Sequence, residues 1–187
     1  MSDVAIRLAR PSDAEALTSL ALRAKASWGY DEEFMELCRE ELTLTPEKMN
    51  AWTIWVAECD GRLAGMIALN VGGEQAELED FMVEPEFHGR GIGRALMSAL
   101  FKECSTQRVR SVSLDADPNA EAIYRKFGFT RIGYYGDTLV ITLLTAVSLP
   151  LGRDGRGLRL CYYGDTPVIT LLTAVSLPPS ITVAYYV

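Results

Sequence analysis

A glycine-rich turn between an apolar strand and an amphipathic helix constrains the fold of this chain more than any other feature. Three glycines fall within five positions, at Gly89, Gly91 and Gly93, and they let the backbone turn tightly and approach a ligand closely. The first turn of the following helix directs unpaired N–H groups and a positive dipole end outward. Arg90 and Arg94 add positive charge at the same place. The segment therefore predicts a binding site for a diphosphate.

The spacing of these glycines excludes two common nucleotide-binding motifs. A dinucleotide-binding fold has the pattern Gly-x-Gly-x-x-Gly, with an acidic residue about 20 positions further on. Residues 89–93 instead read Gly-Arg-Gly-Ile-Gly. A Walker loop needs Gly-Lys followed by Ser or Thr, and the sequence has no such triplet. The turn therefore predicts a different kind of phosphate site.

The turn resembles the acyl-CoA signature of the GNAT-type N-acetyltransferases, whose pattern is Q/R-x-x-G-x-G/A. Residues 88–93 read His-Gly-Arg-Gly-Ile-Gly, so His88 stands where the family usually has Gln or Arg. Further along, residues 115–129 are similar to the family element N-x-x-A-x-x-x-Y-x-x-x-G-F. Its matching residues lie near the expected places and are Asn119, Ala122, Tyr124, Gly128 and Phe129.

The resemblance implies an α/β fold in which helices flank a mixed, mostly antiparallel central sheet, the acyl-CoA N-acetyltransferase fold. It implies acetyl-CoA as co-substrate and no metal. The backbone of Met82 and Val83 would then hydrogen-bond the pantetheine arm and polarise the thioester carbonyl. The full set of residues expected to bind the cofactor is Met82, Val83, His88, Gly89, Arg90, Gly91, Ile92, Gly93, Arg94 and Asn119.

Two side chains are candidates for the proton transfers of such a reaction. In the family the tyrosine at the position of Tyr124 commonly protonates the departing thiolate of CoA; the alternative is a tyrosine that only packs against the sheet. Glu79, on the strand before the glycine turn, is the candidate general base. Period-two alternation groups Glu79 with Phe81 and separates it from Leu78 and Asp80. Asp80 is therefore a rival if the other face lines the cleft, and either carboxylate has the alternative of being merely solvated or paired.

Residues 27–34 lie between the first two helices, where the family generally forms its acceptor pocket. The aromatic rings of Trp28 and Tyr30 stand beside acidic residues and are predicted to hold an ammonium group by cation–π contact and charge pairing. The alternative is that the two rings form only a hydrophobic cover over the helix pair.

Local signals divide the chain into alternating elements. Strands are expected at 4–8, 52–58, 63–70, 78–83 and 109–114. Helices are expected at 12–24, 31–42 and 119–127. Two more helices are expected to begin at Thr45–Pro46 and directly after the glycine turn. Asn119 is expected to cap the last helix and Gly128 to end it in the left-handed region. The second helix is expected to bury Phe34, Leu37, Cys38 and Leu42.

Composition narrows the remaining function classes. A net charge of −7 argues against a nucleic-acid partner and favours a cationic amine substrate. Four scattered cysteines and a single histidine indicate neither a zinc site nor a disulfide framework, so reduced thiols in a cytoplasm are the simplest expectation. No signal peptide or membrane-spanning helix is expected.

The C-terminal part contains a duplication. Residues 134–150 recur almost letter for letter at 162–178, with Pro167 in place of Leu139. Each copy is typical of a β-hairpin, and only one can complete the sheet. The sequence therefore predicts a domain over 1–150 and a duplicated β-rich tail over 151–187. The tail is either non-native or an extra hairpin that pairs with an edge strand, which would give a homodimer.

Together these patterns predict an enzyme that transfers acetyl from acetyl-CoA to a primary amine of a small molecule or amino acid, by direct attack in a ternary complex. The alternative is an acyl-CoA-binding sensor or interaction module without activity. The two hypotheses differ in whether Glu79 and Tyr124 converge on one cleft beside the glycine turn.

Overall fold

The computed structural model describes residues 4–135, 138–144, 158–163 and 166–171, and side chains within 4–117 and 119–131. The chain divides into two compact units, residues 1–147 and residues 148–187. The strands of the first unit are β1 (Val4–Leu8), β2 (Thr53–Cys59), β3 (Arg62–Gly72), β4 (Gln75–Val83), β5 (Ser111–Ala116), β6 (Thr130–Tyr135) and β7 (Thr138–Leu144). Its helices are α1 (Ala14–Ala26), α2 (Glu32–Leu42), α3 (Pro46–Ala51), α4 (Ile92–Thr106) and α5 (Glu121–Arg125).

The first unit is built on one seven-stranded sheet in the order β1-β2-β3-β4-β5-β7-β6. Neighbouring strands are antiparallel except for the pair of β4 and β5, which is parallel. Helices pack on both faces, with α4 over one hydrophobic cluster and α1 over the other. The mixed, mostly antiparallel α/β fold expected from the sequence is confirmed.

The parallel pair opens a gap in the middle of this sheet. Only Gln75–Glu77 of β4 pair with β5, against Ser111–Ser113. Beyond that point β4 runs on to Val83 and β5 to Ala116 without pairing to each other. Since β4 stays paired to β3 as far as Val83, the edge of β4 that faces β5 keeps its backbone groups available to a ligand.

A β-bulge in β4 overturns the alternation expected for that strand. Asp80 pairs with Ala68, and Leu78 pairs with Leu69, so Glu79 is an extra residue between them. As a result Leu78 lies in the cluster beneath α4, whereas the partner of Asp80 lies in the cluster beneath α1. The prediction that Leu78 and Asp80 share a face was therefore wrong.

The expected burial of α2 was also wrong at two positions. Leu42 is buried and Cys38 half-buried, but Phe34 is 38% exposed and Leu37 is 77% exposed. The helix packs mainly against α1, so only its last turn reaches the core. By contrast, the four buried residues of α1 lie on one stripe, namely Leu17, Leu20, Ala21 and Ala24.

Gly65 allows α4 to pack closely on the sheet. A Cβ atom at this position would lie 2.8 Å from the backbone oxygen of Met82 and 3.1 Å from side-chain atoms of Ile92 and Leu96. We expect Gly65→Ala to lower the free energy of unfolding by about 2–3 kcal/mol, because the backbone neighbour has little room to give way. Urea denaturation measures this. Gly72→Ala is the control, since its nearest neighbour lies 3.8 Å away, and an equal loss in both variants would contradict the packing argument.

The two copies of the C-terminal repeat occupy different places. Strands of the first copy belong to the seven-stranded sheet, and those of the second form a separate pair, β8 (Leu158–Tyr163) and β9 (Thr166–Leu171). Leu139 pairs with Ala116 on one side and with Tyr134 on the other. Pro167 replaces this leucine in the second copy, and proline is poorly suited to a central strand because it has no N–H. Residues 136–137, 145–157, 164–165 and 172–187 of this part of the chain lie outside the described residues.

Deletion of everything after Leu151 is therefore expected to leave a folded first unit. Deletion from Tyr134 onward is expected to unfold it, because β7 lies between two other strands. Size-exclusion chromatography and urea denaturation of both truncated chains test this. An insoluble chain that ends at Leu151 would show that the second copy is the one the fold needs.

Candidate functional site

A cleft of about 430 Å³ lies where β4 and β5 separate. This volume falls within the usual range for small-molecule sites. Its lining comes from the glycine turn, the second half of β4, the end of β5, α5 and the α1–α2 region. The cleft therefore joins segments that are far apart in the sequence.

The glycine turn forms the wall of the cleft at the start of α4. Gly89 and Gly91 have φ angles of 77° and 83°, in the left-handed region, and Gly91 is the N-cap of α4. Neither residue has a heavy atom within 4 Å of where a Cβ would stand, so this part of the turn is open to a ligand. A Cβ on Gly93 would lie 3.2 Å from the ring of Phe81, so this glycine lets the helix approach β4. The turn is thus shaped for an anion at a helix N-terminus.

Most residues predicted to bind the cofactor line this cleft. They are Met82, Val83, His88, Gly89, Gly91, Ile92 and Gly93. His88 is exposed, and its Nε2 atom lies 3.2 Å from the carbonyl oxygen of Val83. Arg90 and Arg94 are exposed and are not part of the lining; the Arg90 guanidinium lies 5.3 Å from the ring centre of Phe87.

Asn119 does not cap the last helix, so that prediction was wrong. The helix α5 begins at Glu121 with Ala120 as its N-cap, and Asn119 belongs to a short 3-10 turn before it. The backbone N–H of Asn119 donates to Oδ1 of Asp117 at 2.9 Å, which fixes that turn. Asn119 is exposed and does not line the cleft. Gly128, with a φ of 89°, follows the helix as predicted.

Tyr124 is buried in the cleft wall, with 8% of its surface exposed. Its ring packs against Phe81 and Phe129, at centroid distances of 6.1 Å and 5.6 Å. Burial, and then the charge of Asp80, raise the pKa of Tyr124 well above its usual value, so the phenol keeps its proton at neutral pH. Among the described residues, nothing hydrogen-bonds to its hydroxyl group, and every fully buried polar side-chain atom has a partner. The hydroxyl therefore faces the cleft.

Both candidate bases line the cleft, but their surroundings differ. Oε1 of Glu79 accepts a hydrogen bond of 2.9 Å from the side chain of Asn70, and Glu79 is half-buried. Asp80 is 7% exposed and makes no hydrogen bond or ion pair within the described part of the chain. Burial raises the pKa of Asp80 to about 7; the charge of Lys48 lowers it, and those of Glu79 and Glu41 raise it.

The raised pKa of Asp80 makes stability depend on pH in a definite direction. The folded protein keeps a proton up to about pH 7, whereas the unfolded chain releases it near the ordinary value of 3.8. Stability is therefore greatest below the unfolded value and falls as the pH rises to about 7. We expect Asp80→Asn to raise the free energy of unfolding at about pH 8 by an amount on the order of 2–4 kcal/mol, and by less at about pH 5.

Urea denaturation of both proteins at the two pH values measures this difference. Asp115→Asn is the control, since Asp115 also lines the cleft but is exposed. A gain that is the same at both pH values, or that is equally large in the control, would contradict the burial of a charged Asp80.

The two aromatic residues predicted to hold the acceptor are placed differently. Trp28 lines the cleft and is 43% exposed. Tyr30 does not line it: its hydroxyl donates to Asp117, and the Lys25 Nζ lies 5.0 Å from its ring centre. Burial and the bond to Asp117 raise the pKa of Tyr30. Its ring thus already contacts an ammonium group, that of the chain's own Lys25.

The sequence did not single out the charged residues Lys25, Glu41 and Asp117, although all three line the cleft. Lys25 on α1 donates to Oδ2 of Asp117 at 3.1 Å, a contact between residues 92 positions apart. Asp117 follows a predicted strand. It could have been found only by treating every polar residue near the end of a strand as a candidate. Glu41 is one of several acidic residues on α2, and nothing local distinguishes it.

The described residues contain neither a metal-binding cluster nor a helix suited to cross a membrane. No three His, Cys, Asp or Glu side chains there come close enough together to hold a metal ion. Within the same residues, no helix has both the length and the apolar character that are needed to cross a membrane.

Known proteins match this chain in sequence and in fold. A family model described as an acetyltransferase (GNAT) domain matches residues 14–138. A putative [ribosomal protein bS18]-alanine N-acetyltransferase of Bacillus subtilis is 29% identical over 89 residues, which are 44% of this chain and 59% of that protein. The uncharacterized N-acetyltransferase ycf52 of Porphyra purpurea is 32% identical over 71 residues, 37% of this chain and 41% of that protein. The matches thus span about half the length of these relatives.

Solved structures share the fold at low sequence identity. The PaiA N-acetyltransferase of Thermoplasma acidophilum was crystallised in complex with coenzyme A. It superimposes on this chain with a TM-score of 0.69 at 21% sequence identity, and the match covers 76% of this chain and 99% of the PaiA chain. The ribosomal-protein-S18-alanine N-acetyltransferase of Escherichia coli gives 0.61 at 19% identity, over 79% and 97% of the two chains.

Proposed function

Since the chain belongs to the GNAT acetyltransferase family, we propose that it transfers an acetyl group from acetyl-CoA to a primary amine of a small molecule by direct attack in a ternary complex. The observation that carries the proposal is that one cleft joins the glycine turn to Asp80, Glu79 and Tyr124. This convergence favours an enzyme over an acyl-CoA-binding module without activity, since a module needs only the glycine turn.

The residues present fit acetyl-CoA. The open turn at Gly89 and Gly91, at the N-terminus of α4, suits the diphosphate, because a side chain at either position would fill the space. The unpaired edge of β4 at Met82 and Val83 suits the amide groups of the pantetheine arm. Acetyl-CoA supplies a thioester whose carbonyl carbon accepts the amine and whose sulfur leaves as a thiolate.

The chain supplies the two proton transfers. An ammonium group must lose a proton before its nitrogen can form the new C–N bond, and a carboxylate in the cleft accepts it. As the C–S bond breaks, the Tyr124 hydroxyl donates its proton to the sulfur. Tyr124 is suited to this, since the phenol is held protonated and faces the cleft.

The surroundings favour Asp80 over Glu79 as the base. A base with a pKa near 7 is about half deprotonated at neutral pH and still accepts a proton readily. The Glu79 carboxylate is already bound to Asn70, so its role is to hold the bulge that orients Asp80. We therefore expect Asp80→Asn to lose more of kcat than Glu79→Gln.

Acetylation of a protein amino terminus is the second candidate function. It is favoured by the names of the Bacillus subtilis relative and of the Escherichia coli structure, both ribosomal-protein alanine N-acetyltransferases. A peptide that begins with alanine tests it beside the small amines.

Initial-rate kinetics with both substrates varied test direct attack. Lines that intersect in a double-reciprocal plot are expected for a ternary complex. Parallel lines would instead indicate an acetylated enzyme, for which Cys38, a half-buried thiol in the cleft lining, is the candidate nucleophile. Cys38→Ala is expected to keep its turnover, and its complete loss would contradict direct attack.

A further inference from the structure

Carboxylates outnumber amines in the lining of the cleft. Five acidic side chains contribute to it, from α2, β4 and the end of β5: Glu41, Glu79, Asp80, Asp115 and Asp117. The basic side chains in the lining are Lys25 and Lys126, and Lys25 is bound to Asp117 at 3.1 Å. The part of the cleft around β4 and α2 therefore carries a net negative charge.

Two buried polar groups in this cleft lack a protein partner among the described residues. Asp80 is 7% exposed and Tyr124 is 8% exposed, and neither makes a hydrogen bond or an ion pair there. Since every fully buried polar side-chain atom among the described residues has a partner, the unpaired oxygen atoms of Asp80 and Tyr124 reach the cleft, where a ligand can bond them. Both groups line the same cleft.

The negative charges act on one another across the cleft. The charges of Glu79 and Glu41 both raise the pKa of Asp80, after the larger effect of burial. Burial and then the charges of Glu79 and Asp115 raise the pKa of Glu77, at the narrow end of the gap. The charge of Lys48 lowers the pKa of Asp80, and its effect is larger than that of either carboxylate alone. A cationic ligand would relieve the repulsion between these carboxylates.

The placement of these carboxylates on separate elements distinguishes an extended cation from a compact one. A metal ion needs several ligands around one point, and within the described residues no three acidic, histidine or cysteine side chains meet that condition. Carboxylates on separate elements suit separate charges along a flexible chain. From this arrangement we propose that the acceptor is a linear amine with two or more ammonium groups, a diamine or polyamine. This inference rests on the proposed acetyl transfer.

In the proposed complex, the reacting amine lies between Asp80 and the thioester, and a second ammonium group pairs with Glu41 on α2. Glu41 is exposed at the cleft, and its carboxylate has no ion pair within the described part of the chain. Its side chain would therefore determine acceptor specificity without touching the reacting atoms.

The test compares 1,4-diaminobutane with butylamine, which has the same carbon chain and one charge fewer. We expect kcat/KM to be about tenfold or more higher for the diamine. Glu41→Gln should remove most of that ratio, whereas Glu40→Gln, on the exposed part of the same helix, should leave it unchanged. Calorimetric titration of the CoA-saturated protein with 1,4-diaminobutane gives a readout without turnover, and we expect binding that Glu41→Gln weakens.

The outcomes separate the two proposals. Equal kcat/KM values for both amines, or a ratio unaffected by Glu41→Gln, would overturn the diamine acceptor and leave the acetyl transfer intact. Preference for a peptide that begins with alanine would also overturn it, in favour of a protein acceptor. Diamine binding without acetylation of any amine would contradict the transferase instead. Displacement of the diamine by magnesium chloride, but not by sodium chloride of equal ionic strength, would show that the acidic residues of the cleft form a metal site.

Discussion

Gly91→Glu is expected to weaken CoA binding by at least about 100-fold. Gly91 has a φ of 83° and open space where its Cβ would stand, so the variant folds with a strain of only about 1–2 kcal/mol. The new carboxylate would occupy the place proposed for the diphosphate and repel it. A loss of this size corresponds to about 2.7 kcal/mol of binding free energy. Calorimetric titration with CoA measures it.

Gly73→Glu is the matched control for this variant. Gly73 has a φ of 72° and equally open surroundings, but it lies in the turn between β3 and β4 and does not line the cleft. The control should show the same small loss of stability and an unchanged affinity for CoA. Unchanged affinity in both variants would remove the glycine turn from the cofactor site. Arg90→Ala should weaken binding only slightly, since Arg90 is exposed and outside the lining.

Tyr124→Phe is expected to lower kcat by about 100-fold or more, with little change in the KM for acetyl-CoA. The reason is that a proton donor to the leaving sulfur acts in the transition state and adds little to ground-state binding. Steady-state rates with a good acceptor measure the effect, and urea denaturation checks that the variant is folded. Full turnover in this variant would assign Tyr124 to packing alone, among Phe81 and Phe129.

The features that the sequence predicted well depend on neighbouring residues. Thr45, where the third helix was expected to begin, caps α3, because its side chain bonds the backbone N–H three residues on. Asp60 and Gly61 lie between the strands expected at 52–58 and 63–70, and both have the positive φ angles of a tight hairpin turn. The glycine turn is of the same kind, since its shape follows from three residues within five positions.

The features that the sequence did not predict depend on distant contacts. The bulge at Glu79 is set by the pairing of β4 with β3, and strict alternation gave no sign of it. The bond between Lys25 and Asp117, and the burial that raises the pKa of Asp80, both arise only when β4, β5 and α1 come together. Phe34 and Leu37 have helical spacing, but the pattern could not tell that α2 lies on α1.

The most direct test of acetyl transfer is to incubate the full chain with acetyl-CoA and a panel of primary amines, and to measure both free thiol and the acetylated amine by mass spectrometry. We expect one thiol released for each amine acetylated, with both products falling together in Asp80→Asn and Tyr124→Phe. A chain that binds CoA tightly yet acetylates no amine in the panel would instead be an acyl-CoA-binding module.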